Sequence, residues 1–244
     1  MIAVTASTSK DKQDQWLRWM GLCTLLDLDC YSNFPENVGM VKAYQTLYET
    51  FRMDHELIAF LHDDLEILEP LAVRHLFDKD PKLAVLGFGG ATGLAVDDIY
   101  KTPYRIEQLQ RINYASNQVD WEIHGTRETG GKDVAVVDGF AIVARTSFLD
   151  LNGGWQGFPF GFHCYDLYLC LMAARLGWKV KMQGVRCHHH GGGTSTGVEY
   201  AEMLRKQGKT VEDDHREPHV WLYSEFRDML PLRINDKGKS AITL

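Results

Sequence analysis

Five apolar residues, Leu57-Ile58-Ala59-Phe60-Leu61, run straight into His62-Asp63-Asp64. A run this short, rich in Leu, Ile and Phe and bounded by charge, predicts a strand buried on both faces, as in a sheet covered by helices on each side. The acids then emerge at the carboxyl end of that strand, the edge where open α/β sheets collect ligands. Two carboxylates at one strand tip repel each other unless a cation or hydrogen-bond donors lie between them. Hard oxygen ligands in that position suit Mg²⁺ or Mn²⁺ bridging a nucleotide diphosphate. The competing role is capping of a helix that begins near Glu69-Pro70.

The flanking sequence repeats the same alternation. Met1 to Ala6 reads as a strand, and Trp16, Trp19, Met20, Cys23 and Leu26 recur at helical spacing over about 12–27. Asp29 to Ser32 predicts a second strand. Val41, Tyr44, Leu47, Tyr48 and Phe51 predict a helix over 39–52 that feeds the strand ending in the acids. Strand, helix, strand, helix, strand is a doubly wound α/β pattern. Leu71 to Asp78 reads as helix and Leu83 to Phe88 as strand. The cluster Gly87-Phe88-Gly89-Gly90 lacks the spacing of a dinucleotide fingerprint and marks a close approach of backbone to a ligand or a neighbouring strand. Residues 92–133 lose periodicity and read as a long acceptor loop or lid. Val134 to Ala144 and Trp178 to Met182 read as strands, and His163 to Leu176 as a helix. Residues 196–207 and 219–229 read as peripheral helices, which gives a main domain over 1–192 and a C-terminal helical extension over 193–244.

A formal net charge of -7 argues against bulk binding of a phosphate backbone. Arg105, Arg111, Arg127 and Lys132, interleaved with Tyr104, Tyr114 and Trp121, leave a nucleic-acid acceptor as the alternative to a plain solvated face, and the solvated face is preferred. The five cysteines form no CxxC pair, so the expectation is reduced thiols and a cytoplasmic location. No apolar run reaches the ~20 residues that span a bilayer, and no transmembrane segment is expected.

Two further constellations carry chemistry. Asp166, beside His163 and Tyr165, opens an apolar helix, where it could serve as a cap or as a general base kept ionised by the helix N-terminus. The preceding Gly153 to Phe162 segment, with Trp155, is dense in aromatics suited to stacking on a sugar, or to core packing. His188-His189-His190 cannot all face one way on an extended chain, so one or two at most reach a common site. An imidazole joining Asp64 would favour Mn²⁺ over Mg²⁺. Cys187 with a histidine lacks the second cysteine of a structural zinc site.

The order of Ile2–Ala6, Asn37-Val38-Gly39 with Ala43-Tyr44, Phe60-Leu61-His62-Asp63-Asp64, Val137-Asp138-Gly139-Phe140, and Phe162-His163-Cys164-Tyr165-Asp166-Leu167 followed by Gly177-Trp178-Lys179-Val180 resembles the family 2 type glycosyltransferases of GT-A fold. Within them it is similar to the subgroup related to a streptomycin-biosynthesis glycosyltransferase. The resemblance implies a Rossmann-like mixed sheet, a nucleotide-sugar donor expected to be UDP-linked, Mn²⁺ or Mg²⁺, and inverting transfer to a hydroxyl acceptor. It implies Asp166 as catalytic base and Asp64 as metal ligand, with His188 or its neighbour His190 completing the metal shell. It further implies Thr5, Ala6, Ser7, Asp63, Asp138 and Gly139 on the donor, and Trp155, His163 and Tyr165 toward the acceptor. His62 stands where the first acid of the family's DxD motif would be. The rivals are a nucleotidyltransferase, disfavoured by the absence of glycine from Thr5-Ala6-Ser7-Thr8-Ser9, and an inactive nucleotide-sugar-binding module.

Overall fold

The computed structural model describes residues 1–23, 26–98, 107–119, 125–191, 198–234 and 240–242. The chain starts with strand β1 (Ile2–Ser7), helix α1 (Lys10–Cys23), β2 (Asp27–Ser32), α2 (Met40–Phe51) and β3 (Leu57–Leu61). The predicted first helix ends early, because Asp27 and Leu28 are taken into β2, in register with Ile2 and Ala3. Next come β4 (Leu65–Ile67), α3 (Arg74–Lys79), β5 (Leu83–Gly87), and a long hairpin of β6 (Gly89–Asp98) and β7 (Glu107–Ser116). The short strands β8 (Thr126–Arg127), β9 (Gly131–Asp133) and β10 (Val136–Val137) lead into β11 (Ala141–Arg145). The remainder is α4 (Thr146–Asn152), α5 (Tyr165–Arg175), β12 (Lys179–Gln183), β13 (Cys187–His189), α6 (Val198–Lys206), α7 (Val211–Glu225), β14 (Leu232–Ile234) and β15 (Ser240–Ile242).

The main sheet has the order β2-β1-β3-β11-β5-β12-β9, parallel except where β11 and β9 run antiparallel to their neighbours. Strand alternation divides its core in two. Ile2, Val4, Ala6, Ile58 and Phe60 face α2 and α5, whereas Ala3, Leu57, Ala59 and Leu61 pack with Trp16, Met20 and Phe77 from α1 and α3. All five residues of β3 are buried, as a strand covered on both faces requires. Trp16 and Met20 are core residues, the outcome helical spacing predicts.

Two expectations change. The aperiodic stretch 92–133 is, where described, mostly strand: β6 and β7 pair from Gly89 opposite Ser116 to Asp98 opposite Glu107. Glycines obscured the alternation. They are needed because a Cβ on Gly90 would lie 2.8 Å from the Val136 carbonyl oxygen, and one on Gly89 would run into the Tyr114 hydroxyl. The glycine cluster therefore serves strand packing rather than a ligand. Tyr104, Arg105 and Trp121 lie outside the described residues. The C-terminal stretch is also more than helical. β14 pairs with β6, and Leu222, Phe226, Met229 and Leu232 enter the same core as β1 and β3. Three alternating residues, Leu232-Arg233-Ile234, were too short a run to mark a strand. The expected domain boundary at 192/193 falls on residues outside the description.

The predicted strand 134–144 is split. β10 joins the β6 hairpin sheet and β11 the main sheet, and Asp138-Gly139-Phe140 turns between them at the mouth of the site.

Candidate active site

A cavity of about 530 Å³ opens where β1 and β3 end, walled on the far side by β7, the start of α5, and α7. Ala6 and Thr8 enter it from the end of β1, and His62, Asp63 and Asp64 from the end of β3. Asp138 and Gly139 come from the β10–β11 turn, and His163, Tyr165 and Asp166 from the head of α5. These residues, far apart in sequence, line one cavity.

At one end three ligand atoms converge. His189 Nε2 lies 3.3 Å from His62 Nδ1 and 3.3 Å from Asp64 Oδ1, and the latter two are 3.9 Å apart. A point about 2.1 Å from all three atoms sits close to their plane, the bond length a divalent transition ion takes to imidazole and carboxylate. The protonation pattern fits as well. The Tyr165 hydroxyl has one proton and donates it to the Gly139 carbonyl at 3.0 Å, so the 2.7 Å contact with His62 must be donated by the His62 Nε2–H. That fixes the tautomer with the Nδ1 lone pair facing Asp64 and His189. Burial and the neighbouring His189 hold the His62 pKa down to about 4, so the ring is neutral and able to ligate. Burial pushes Asp64 up, but His189 and His62 outweigh it and bring its pKa down to about 2. Two imidazoles and a carboxylate suit Mn²⁺ better than Mg²⁺.

The histidine assignment needs correcting. In β13, which runs antiparallel to β4, His189 sits opposite Leu65 and faces inward, whereas His188 sits opposite Glu66. His188 and His190 therefore gather with Glu66 on the outer side, away from Asp64. The strand's period of two decides this, and the sequence carried no register from which to phase it. Cys187 is fully buried opposite Ile67 and belongs to neither ligand cluster among the described residues.

Other site residues sort as follows. The Asp63 carboxylate accepts from the Thr8 amide at 3.4 Å and lies 3.9 Å from Lys12 Nζ, while burial raises its pKa. Thr5 and Ser7 are buried in β1, and the Ser7 hydroxyl accepts from the Cys30 thiol, so neither lines the cavity. Trp155 is 1% exposed, packs on Tyr44 and Phe60, and donates its indole N–H to the Tyr165 carbonyl at 3.1 Å. It supports Tyr165 from the core and cannot stack on an acceptor. His163 does line the cavity, 3.2 Å from the Tyr200 hydroxyl.

Asp166 is the second residue of α5, whose N-cap position is Cys164, so it lies in the first turn of the helix rather than at its N-cap. It is 4% exposed; one carboxylate oxygen accepts from the Leu167 amide at 2.8 Å and the other from Arg111 at 2.5 Å. Burial pushes its pKa up against the pull of Arg111. Burial likewise raises Asp138, but Arg111 outweighs it and holds that carboxyl below the usual range. Arg111 on β7 thus serves two acids, a role hidden within the basic and aromatic stretch. Arg127 is bonded to Asn117, and Lys132 lies 3.7 Å from Glu128, so the described cations of that stretch each have a partner within the chain. Sequence reasoning also missed His215 and His219 on α7, which close the cavity from a helix far along the chain. The ring of His219 accepts from the Leu109 amide at 3.3 Å, which ties α7 to β7.

No protein-family profile and no curated protein matches the sequence. Among solved structures, the chain is similar to GalNAc-T7 crystallised with UDP, GalNAc and Mn²⁺. The TM-score is 0.50 at 10% identity, over 77% of this chain and 43% of that one. It is also similar to A197 from STIV, with TM-score 0.44 and 12% identity over 77% of this chain and 84% of that one. The mixed sheet with helices on both faces is a GT-A glycosyltransferase-like fold. Among the described residues, no helix is long and apolar enough to cross a membrane.

Proposed function

We propose that the chain is a metal-dependent glycosyltransferase that moves a sugar from a nucleotide-sugar donor to a hydroxyl acceptor with inversion. The observation that carries this reading is the convergence of His62 Nδ1, Asp64 Oδ1 and His189 Nε2 at one end of a cavity that also holds the buried carboxylate of Asp166. The GT-A-like fold and the Mn²⁺ and UDP of GalNAc-T7 agree with it. Bound by His62, Asp64 and His189, Mn²⁺ would supply Lewis-acid stabilisation of the charge on a departing diphosphate. Ala6, Thr8 and Asp63 would border the nucleotide, and Asp138 and Gly139 the donor sugar, as their shared place in the cavity lining supports. Asp166 acts as general base. Each of its oxygens keeps a lone pair beyond those used by Leu167 and Arg111, and its upward-shifted pKa makes it a better proton acceptor than an exposed carboxylate. Arg111 favours its ionised form against the effect of burial. Attack guided from Asp166, opposite the diphosphate, inverts the anomeric carbon. His163 and the α7 histidines border the acceptor.

The test is to incubate purified protein with a panel of nucleotide sugars and candidate acceptors, with Mn²⁺ or EDTA, and follow products by mass spectrometry. Mn²⁺-dependent transfer or donor hydrolysis is expected. Formation of a nucleotide sugar from a sugar 1-phosphate and a nucleoside triphosphate, with release of pyrophosphate, would instead indicate a nucleotidyltransferase.

A further inference from the structure

The histidines turned away from Asp64 form a constellation of their own. β4 and β13 make a two-stranded ribbon in which Leu65, Ile67, Cys187 and His189 face inward. The opposite phase brings Glu66, His188 and His190 to the outer side, where one nitrogen from each ring and one carboxylate oxygen lie within 4.8 Å of one another. His188 and His190 are two apart on an extended chain, so their rings project the same way, with centroids 3.9 Å apart. His190 is also stacked on Trp19 of α1 at 5.0 Å, and its Nε2 lies 3.6 Å from Glu66 Oε2. Ring contacts with Trp19 and His188 restrict this ring before any ligand arrives, which lowers the entropy lost on binding. The His190 side chain is 40% exposed, so an ion reaches it directly from solvent.

We infer that Glu66, His188 and His190 are a second divalent-metal site, able to take Zn²⁺, on the outer face of the ribbon whose inner face carries His189. Two imidazoles and one carboxylate, with a fourth position left to water, are a donor set that zinc accepts, and small rotations of these partly exposed side chains bring the ligands to bonding distance. Occupation ties β4 to β13 by side-chain bonds in addition to their backbone pairing and so stabilises the ribbon. This site does not depend on the transfer chemistry proposed above.

The test uses the full chain, stripped with chelator and titrated with Zn²⁺ against a chromophoric indicator. His189→Ala serves as the background, because it disables the inner cluster. One zinc per chain is expected to remain in that background, with the melting temperature rising as zinc is added. Adding Glu66→Gln should weaken zinc by about tenfold or more, and His188→Asn with His190→Asn should abolish it. Near-UV circular dichroism checks that each variant is folded; if the double histidine replacement is not, the isosteric Glu66→Gln decides. Absence of zinc binding in the His189→Ala background, or affinity left unchanged by the replacements, overturns the assignment.

Discussion

Removing one oxygen tests how the inner cluster is held. In Tyr165→Phe the Gly139 carbonyl loses the donor it has at 3.0 Å, and the His62 Nε2–H loses the acceptor it has at 2.7 Å. Gly139 is buried and His62 is partly exposed in the cavity wall; a buried polar group left without a partner costs about 1–3 kcal/mol and the imidazole less than that maximum, so the pair amounts to about 2–4 kcal/mol. For a chain of this length that lowers the melting temperature by roughly 5–12 °C. The second effect is chemical. Without the tyrosine, His62 is free to place its proton on Nδ1, the atom aimed at Asp64 and His189, and loss of such an outer partner weakens metal binding by about 10–100-fold. Melting curves give the first number, and Mn²⁺ titration followed by electron paramagnetic resonance gives the second. Native Mn²⁺ affinity in a folded Tyr165→Phe protein would refute the tautomer argument, and a melting temperature unchanged within ~1 °C would refute the hydrogen-bond argument.

Gly139→Ala should reproduce both effects, because its Cβ would lie 2.5 Å from the Tyr165 hydroxyl and push it off His62; normal Mn²⁺ affinity in this variant would count against the arrangement. Asp166→Asn cannot take a proton, so single-turnover transfer at saturating donor is expected to fall by roughly 10²-fold or more while donor affinity persists; full transfer would move the base elsewhere. Metal-free protein should lose stability on mild acidification. Burial holds His62 near 4 and His219 near 3, both below the unfolded value of about 6.5, so the unfolded chain takes up protons that the folded chain refuses. The contribution of these two groups is intact above about pH 6.5 and shrinks as pH falls toward 4, by ~4 kcal/mol in total between pH 7.5 and 5. Urea denaturation at several pH values reads this directly, and a flat profile over that range would contradict it.

Periodicity made much of the fold legible. The apolar run into His62-Asp63-Asp64, the Trp16 and Met20 stripe, and the apolar helix behind Asp166 each state their burial within a few residues. What stayed hidden depends on partners far away in the chain. Which of three consecutive histidines faces Asp64 follows from the pairing of β13 with β4, a register that no local pattern carries. The β6–β7 hairpin was masked by glycines whose requirement is set by Tyr114 and by Val136 on β10. Trp155 looks identical in sequence whether it stacks on a sugar or on Tyr44, and His219 meets β7 from more than one hundred residues away. Arg111 was visible as a charge but not as the partner of Asp166, because that pairing spans two elements.

The central claim is that a metal held by His62, Asp64 and His189 governs binding of a nucleotide-sugar donor. Calorimetric titration of a UDP-sugar into the native chain and into Asp64→Ala, each with Mn²⁺ and with EDTA, tests it most directly. Donor is expected to bind the native chain only with Mn²⁺, and not to bind a folded Asp64→Ala protein. Donor binding of equal strength with EDTA, or Mn²⁺-dependent binding retained in Asp64→Ala, would contradict it.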